Sequence, residues 1–153
     1  MNSHYSAPGD GIALDTFDGI HVVKASAATT GGAYELFEVD VRPGPLVPLH
    51  TSPWGATAYV LEGTITFVSE TVQHTLTRGA SITITPGTPY TWNAAAPGAR
   101  ILAFTTGDGA GSFFADIARL PRDRTMDETM SVMAEIAHRH GVSVGTSPQS
   151  AIG

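Results

Sequence analysis

The sequence predicts an all-β fold, a small antiparallel barrel with helices packed on it at the C-terminal end. Two observations support this prediction. Over about residues 11–106, short segments rich in β-branched and aromatic residues alternate with turns that contain Gly or Pro. After Gly107, apolar residues recur instead at helical spacing, over about residues 112–140.

A chain of 153 residues has the size of one domain. We therefore expect a single domain over residues 11–145, between a flexible polar N-terminus at residues 1–10 and a loose tail at residues 146–153. The first ten residues show neither the positive region nor the apolar run of a secretion signal. This predicts a cytoplasmic protein.

The composition narrows the range of partners. The net charge is −6, and the single lysine, Lys24, leaves no basic stripe for nucleic acid. The chain contains no cysteine, so neither disulfides nor thiol chemistry is expected. No uninterrupted apolar run is long enough to span a bilayer. We therefore expect a small-molecule ligand rather than nucleic acid or a membrane.

Each strand is predicted from alternating polarity or from a run of β-forming residues between turns. In chain order, the predicted segments are 11–24, 34–41, a short one at His50, 57–61, 64–70, 71–77, 81–85, 90–93 and 100–106. The Glu62–Gly63 pair predicts a hairpin that joins segments 57–61 and 64–70. His21 lies on the first segment, where the pattern favours an ordinary strand-face or surface histidine.

Two helices are predicted after the last strand. Ser112 is a candidate N-cap for a short helix that Pro121 ends, and Thr125 or Asp127 can cap a longer helix that reaches about His140. Apolar residues of the second helix recur at intervals of four, three and four, and we expect this stripe to dock on the barrel. The stripe consists of Met126, Met130, Met133 and Ala137.

The spacing of Gly44, His50 and Gly63 resembles the first sequence motif of the cupins, and residues 79–93 resemble the second. The likeness extends over about residues 12–143, and the chain is similar to single-domain bacterial cupins of the quercetin-dioxygenase-like group. It implies a jelly-roll type of cupin barrel. It also implies a homodimer.

The same resemblance identifies where a cupin would hold a metal. Three ligands come from the first motif and one from the second, and these positions carry His50, Ser52, Ala56 and Tyr90. Only the imidazole is a good ligand for a transition metal, because a hydroxyl and a neutral phenol bind poorly and a methyl group does not bind at all. We therefore expect degenerate metal motifs and neither a metal nor any other cofactor.

The expected interior is apolar, with a few polar groups. We assign catalysis to His50 and Tyr90, the first as a base and the second as a donor to a developing oxyanion. Ser52 could orient the imidazole or a substrate oxygen. The residues predicted to bind substrate are Ser52, Trp54, Ala56, Val60, Ile65, Phe67, Trp92 and Phe104. Such a lining suits a hydrophobic small molecule.

These assignments predict a metal-independent cyclase or isomerase that acts on a hydrophobic, polyketide-like intermediate in specialised metabolism. Two alternatives stay open from sequence. One is a metal-dependent dioxygenase of the quercetinase-like kind, in which His50 would be joined by ligands such as Tyr90. The other is a non-catalytic cupin that only binds a small molecule.

Overall fold

The computed structural model describes residues 2–70 and 72–145. Within them the chain forms mainly antiparallel strands, followed by two helices and one short final strand. The strands are β1 (Ala13–Asp15), β2 (Gly19–Ala25), β3 (Tyr34–Val41), β4 (His50–Thr51), β5 (Ala56–Glu62), β6 (Ile65–Ser69), β7 (Val72–Leu76), β8 (Ser81–Ile84), β9 (Thr91–Ala94), β10 (Ala99–Thr106) and β11 (Ser143–Val144). The helices are α1 (Gly109–Ala118) and α2 (Met126–Arg139).

The strands form two sheets that face each other. The large sheet has the order β1-β2-β3-β10-β5-β8, and the small sheet contains β7-β6-β9. The pair β4-β11 extends the small sheet, because His50 and Tyr90 exchange two backbone hydrogen bonds of 3.1 and 3.0 Å next to β9. All strand pairs are antiparallel. The predicted fold class, a jelly-roll barrel with C-terminal helices, is confirmed.

Alternating side chains build the core between the sheets. On β3, buried Phe37, Val39 and Val41 alternate with more exposed residues. Val60 of the large sheet and Phe67 of the small sheet are buried in the same cluster. Burying one such side chain contributes about 1.5–3 kcal/mol, so the core contributes a large part of the stability of the fold.

The predicted hairpin between β5 and β6 is wrong. β5 pairs with β8 and β10, whereas β6 pairs with β7 and β9, so the Glu62–Gly63 pair is the corner where the chain crosses from one sheet to the other. Gly63 has φ +86°, and a Cβ built on it would lie 2.5 Å from the carbonyl oxygen of Gly98. A Gly-containing turn occurs both in hairpins and where a chain crosses between sheets. The sequence pattern therefore could not distinguish the crossover from the predicted hairpin.

Helix α1 begins earlier than predicted. Its N-cap is Asp108 rather than Ser112, and residues 109–111 form its first turn. Gly111 fits there because its N–H donates to Oε1 of the buried Glu35 at 2.9 Å, and a Cβ would collide with that carboxylate. The start of this helix is therefore set by packing against β3, which is distant in sequence. No local sequence pattern indicates such a contact.

Helix α2 matches the prediction in extent but not in its buried face. Thr125 caps it through a capping box with Glu128. The buried residues of α2 are Thr129, Ile136 and Ala137. Met126 and Met130 of the predicted stripe are 75% and 46% exposed, so the docked face is rotated around the helix by about one residue.

Outside these elements, the predictions for the chain ends are only partly covered. Part of the N-terminal segment is held, because Lys24 Nζ donates to the carbonyl oxygens of Ala7 and Asp10 at 2.8 Å each. The predicted tail, residues 146–153, lies outside the described residues. None of the described helices is long and apolar enough to cross a bilayer.

The sheet-crossing corner yields a stability prediction with an internal control. Gly63→Ala should destabilise the fold by about 3 kcal/mol or more, because the left-handed backbone and the backbone contact both penalise a Cβ. Gly87→Ala, at φ +79° with open space around it, should cost only about 1–2 kcal/mol. Urea unfolding of both variants measures the difference. Equal losses would show that the corner is not tightly packed.

Candidate functional site

The backbone bridge between His50 and Tyr90 places their side chains on the same face of the small sheet. The imidazole and phenol rings have centroids 4.3 Å apart, and Tyr90 stacks on the buried Phe67 at 5.4 Å. Because Phe67 belongs to the core, this face is the inner one. The structure thus brings together the two residues that the sequence analysis assigned to catalysis.

The hydrogen bonds of His50 define which ring nitrogen is basic. Its Nδ1 lies 2.9 Å from the carbonyl oxygen of Pro48. A carbonyl can only accept, so Nδ1 carries the proton and Nε2 carries the free lone pair. Burial lowers the pKa of His50, against the opposing effect of the Pro48 carbonyl, so the neutral form is favoured. The side chain is a proton acceptor at Nε2.

Tyr90 has the opposite character. Burial raises the pKa of its phenol to about 12, with a further contribution from the negative charge of Asp18, while a hydrogen bond with Ser52 opposes the rise. The phenol therefore stays protonated at neutral pH and can donate a hydrogen bond. Ser52 itself is buried, with 9% of its surface exposed. Base and donor thus stand side by side.

The donor set does not fit a transition metal. The four positions that hold a metal in the resembled family carry an imidazole, a hydroxyl, the methyl of Ala56 and a phenol that burial keeps protonated. Among the residues the structure describes, no group of three His, Cys, Asp or Glu side chains is arranged to hold one. No step of the chemistry below is therefore routed through a metal.

One polar group near Ala56 lacks a partner. Thr105 lies directly across from Ala56 on β10, and its side-chain oxygen is buried without a hydrogen bond in the described part of the chain. Leaving such a group unpaired costs about 1–3 kcal/mol. A ligand oxygen or a water molecule beside Thr105 would remove this cost.

The other predicted binding residues fall into two groups. The first group faces inward. It consists of Trp54, Val60, Ile65 and Phe67, each at most 9% exposed, and of the partly buried Ala56 and Trp92. Phe104, predicted to line the interior, lies instead on the outer face of the large sheet, where it is 39% exposed and stacks on Tyr34 at 5.2 Å. The register explains this, since its neighbour Ala103 pairs with the buried Phe37 and adjacent residues face opposite ways.

Two aromatic residues of α1 contribute to the interior and were assigned no site role from sequence. Phe113 packs against Trp54 with ring centroids 5.8 Å apart, and Phe114 packs edge-on against Phe37 at 5.3 Å. The helix thereby closes this part of the barrel with its own side chains. The two adjacent phenylalanines were visible in the sequence. Helical periodicity alone could not show that their side chains pack into the barrel.

His21 is a second missed residue. The sequence pattern favoured an ordinary strand-face or surface position, but the side chain is only 8% exposed and its Nδ1 lies 3.1 Å from the hydroxyl of Thr16. Its ring stacks on Phe114 at 4.2 Å. Burial lowers the pKa of His21 to about 4. The alternation of Gly19, His21 and Val23 on one strand face could have indicated this.

Two surface grooves, of about 510 and 750 Å³, lie along α2 and the turn before it. They are lined by residues such as His138 and Arg124. Neither is lined by a residue of the His50–Tyr90 site. We therefore place the candidate site at the inner face, on the chemistry of its residues, and not at these grooves.

Comparison with known proteins agrees with this architecture. A family model described as "Cupin domain" matches residues 37–104. Similar solved structures include the polyketide cyclase RemF from Streptomyces resistomycificus, at 20% identity, TM-score 0.60, and coverage of 69% of this chain and 80% of RemF. They also include an RmlC-like cupin from Shewanella frigidimarina, at 18% identity, TM-score 0.60, and coverage of 73% and 96%.

A third similar structure is Pac13, described as a nucleoside dehydratase, from Streptomyces. It is 12% identical, with TM-score 0.59 and coverage of 72% of this chain and 88% of Pac13. A search of curated protein sequences found no match. At these identities the likeness shows the fold alone.

The buried His21 predicts a pH dependence of stability. The unfolded chain binds a proton near the ordinary pKa of 6.5, whereas the folded ring does not until about pH 4. The unfolded state therefore binds more protons in this window, and stability falls as the pH is lowered through it, by up to about 3 kcal/mol. Urea unfolding between pH 7.5 and 4.5 should show a smaller loss for His21→Gln than for the wild type.

The control for this measurement is His74→Gln, which changes an exposed histidine on β7. Its stability should follow the wild-type pH curve. Parallel curves for the wild type and His21→Gln would contradict the assignment of a buried, neutral imidazole.

Proposed function

We propose that this chain, which a cupin-domain family model matches over residues 37–104, is a metal-independent enzyme, a cyclase or isomerase of a hydrophobic, polyketide-like small molecule bound inside the barrel. The observation that carries the proposal is the pairing of a basic Nε2 on His50 with a protonated phenol on Tyr90, with ring centroids 4.3 Å apart.

The pair supports proton transfer next to a carbonyl. His50 Nε2 would remove a proton from the carbon beside a substrate carbonyl, and the Tyr90 hydroxyl would donate a hydrogen bond to the resulting enolate oxygen. In an isomerase, the imidazolium returns the proton to another carbon. In a cyclase, the enolate carbon bonds to a second carbonyl carbon of the same chain, and the imidazolium gives its proton to the new alkoxide.

The surroundings favour an apolar substrate with several oxygens. The inward aromatic and aliphatic side chains bury hydrophobic surface at about 25 cal/mol per Å². The unpaired hydroxyl of Thr105 offers a further polar contact. RemF, described as a polyketide cyclase, and Pac13, described as a nucleoside dehydratase, support small-molecule chemistry on this fold. The polyketide-like substrate class is part of our proposal.

Access to the interior would require movement of α1. Three polar contacts hold this helix. The Gly111 N–H donates to the Glu35 carboxylate, and the Asp116 carboxylate lies 2.7 Å from His140 Nε2. In the segment that follows the helix, Arg122 donates to the Asp15 carbonyl oxygen at 2.6 Å. The helix also packs Phe113 on Trp54 and Phe114 on Phe37, so opening it would separate these apolar contacts while the strands of the sheets stay paired. The expected homodimer and cytoplasmic location stay predictions.

Solvent deuterium exchange tests the proposed chemistry. The apolar bicyclic ketone 2-tetralone, incubated with the protein in D₂O, should exchange its α-protons faster than in buffer, as measured by mass spectrometry. His50→Gln should reduce the catalysed rate by about 10²–10⁴-fold, and Tyr90→Phe by about 10²–10³-fold. Phe104→Ala, on the outer face, is the matched control and should leave the rate unchanged.

Three outcomes would overturn the proposal in different ways. Exchange that disappears after dialysis against a chelator, and returns with a stoichiometric metal, would favour the dioxygenase-type metal site. Binding of the ketone without any exchange would favour the non-catalytic binding protein. Exchange that survives in His50→Gln would remove the histidine from the mechanism.

The closing role of α1 makes a separate prediction. Phe114→Leu should weaken the contact with Phe37 and let α1 open more often, so 1-naphthol should associate several-fold faster. Stopped-flow quenching of tryptophan fluorescence measures this rate. Phe104→Leu is the size-matched control and should not change it. An unchanged rate in Phe114→Leu would show that ligands enter elsewhere.

A further inference from the structure

His21 belongs to a chain of three polar side chains that the proposed reaction does not use. The Thr16 hydroxyl lies 2.7 Å from Oδ1 of Asp18, 3.2 Å from the carbonyl oxygen of Gly19 and 3.1 Å from Nδ1 of His21. The Gly19 carbonyl accepts, and so does Asp18 when it is ionised, although burial raises the pKa of Asp18. With Asp18 ionised, the hydroxyl proton is directed to these oxygens, and the contact with His21 uses a proton on Nδ1, which leaves the lone pair on Nε2.

This arrangement fixes the ring as an acceptor. Nδ1 is engaged by Thr16, whereas no hydrogen-bond partner of Nε2 occurs among the described residues. Unlike the hydroxyl of Thr105, Nε2 is not one of the fully buried unpaired atoms, so it is accessible to a ligand. In this geometry a hydroxyl and a carboxylate orient the imidazole. Enzymes orient a catalytic base with a third group in the same way.

Thr16, Asp18 and His21 lie at the same interior as the His50–Tyr90 pair. His21 shares the inward face of β2 with Gly19, and its ring lies between Phe37, at 6.0 Å, and Phe114, at 4.2 Å. Asp18 is close enough to Tyr90 for its charge to act on the phenol. The interior therefore contains two clusters of polar side chains, one on each sheet, and aromatic side chains lie between them.

We propose that His21 is a second acceptor of the interior, whose Nε2 takes a hydrogen bond from an acidic hydroxyl of the ligand, a phenol or an enol, while Thr16 and Asp18 hold the ring in that orientation. The assignment rests on the proposed function and narrows its substrate class. The preferred ligand is an apolar aromatic or enolised molecule with a hydroxyl for His21 and a carbonyl for Tyr90.

A pair of probes that differ in one proton tests the assignment. 1-Naphthol carries an acidic hydroxyl, and 1-methoxynaphthalene carries a methyl group in its place. The wild type should bind the naphthol about tenfold more tightly, as expected for one hydrogen bond to a buried acceptor. In His21→Asn, whose amide can still donate to Thr16 but which lacks an atom at Nε2, the two affinities should become nearly equal.

Further variants separate the acceptor from the residues that orient it. Thr16→Val should reduce the naphthol preference, and Thr16→Ser should restore it, because only the hydroxyl matters. His74→Asn, at an exposed site on β7, is the matched control and should keep the wild-type preference. A long-range ¹H–¹⁵N NMR spectrum of the wild type should show a proton on Nδ1 of His21 and a shift of Nε2 with naphthol but not with the ether.

Each outcome decides a different point. A preference for naphthol that persists in a folded His21→Asn, or a proton found on Nε2, overturns the assignment. Equal affinities in the wild type overturn it too but leave the proposed function intact. If neither probe binds the wild type, the assignment and the apolar interior site of the proposed function both fail. A lost preference in His21→Asn without ketone exchange supports His21 while the catalytic proposal fails.

Discussion

The two hydrogen bonds between His50 and Tyr90 join β4 to the edge of β9, and most of the site depends on this bridge. Residues directly opposite each other in an antiparallel pair point to the same face. The bridge therefore commits both side chains to the interior at once. A shift of β4 by one residue would turn the His50 ring away from the core and separate it from Tyr90.

Proton positions at this site follow from backbone carbonyls and burial. The Pro48 carbonyl fixes the proton of His50 on Nδ1, and desolvation keeps Tyr90 protonated. These are features of the folded chain that no ligand needs to create. A base and a donor that already hold these protonation states need no rearrangement before they meet a ligand.

Helix α1 connects the site to the rest of the molecule. Its phenylalanines reach into the barrel against Trp54 and Phe37, while the polar contact of Gly111 with Glu35 anchors its first turn. The same helix thus completes the hydrophobic interior. In the function proposed above it would also have to move for a ligand to enter, and it would exclude water when closed.

Local patterns in the sequence determined much of this protein. Alternation and Gly–Pro punctuation predict strands such as β3 and β10, and the capping residue Thr125 predicts the start of α2. These features depend on residues close together in the chain, so the sequence alone could predict them. His50 and Tyr90 lie forty residues apart, and only the resemblance to the cupins placed them at one site.

Tertiary structure decided what depends on distant partners. The Glu62–Gly63 turn became a crossover between sheets because β5 found β8 and β10, and Phe104 faces outward because register, not composition, sets its side of the sheet. His21 became buried only through the fold, which sets its Nδ1 beside the Thr16 hydroxyl and packs Phe114 of α1 on its ring. Pairing, register and burial arise from long-range contacts, and no short stretch of sequence records them.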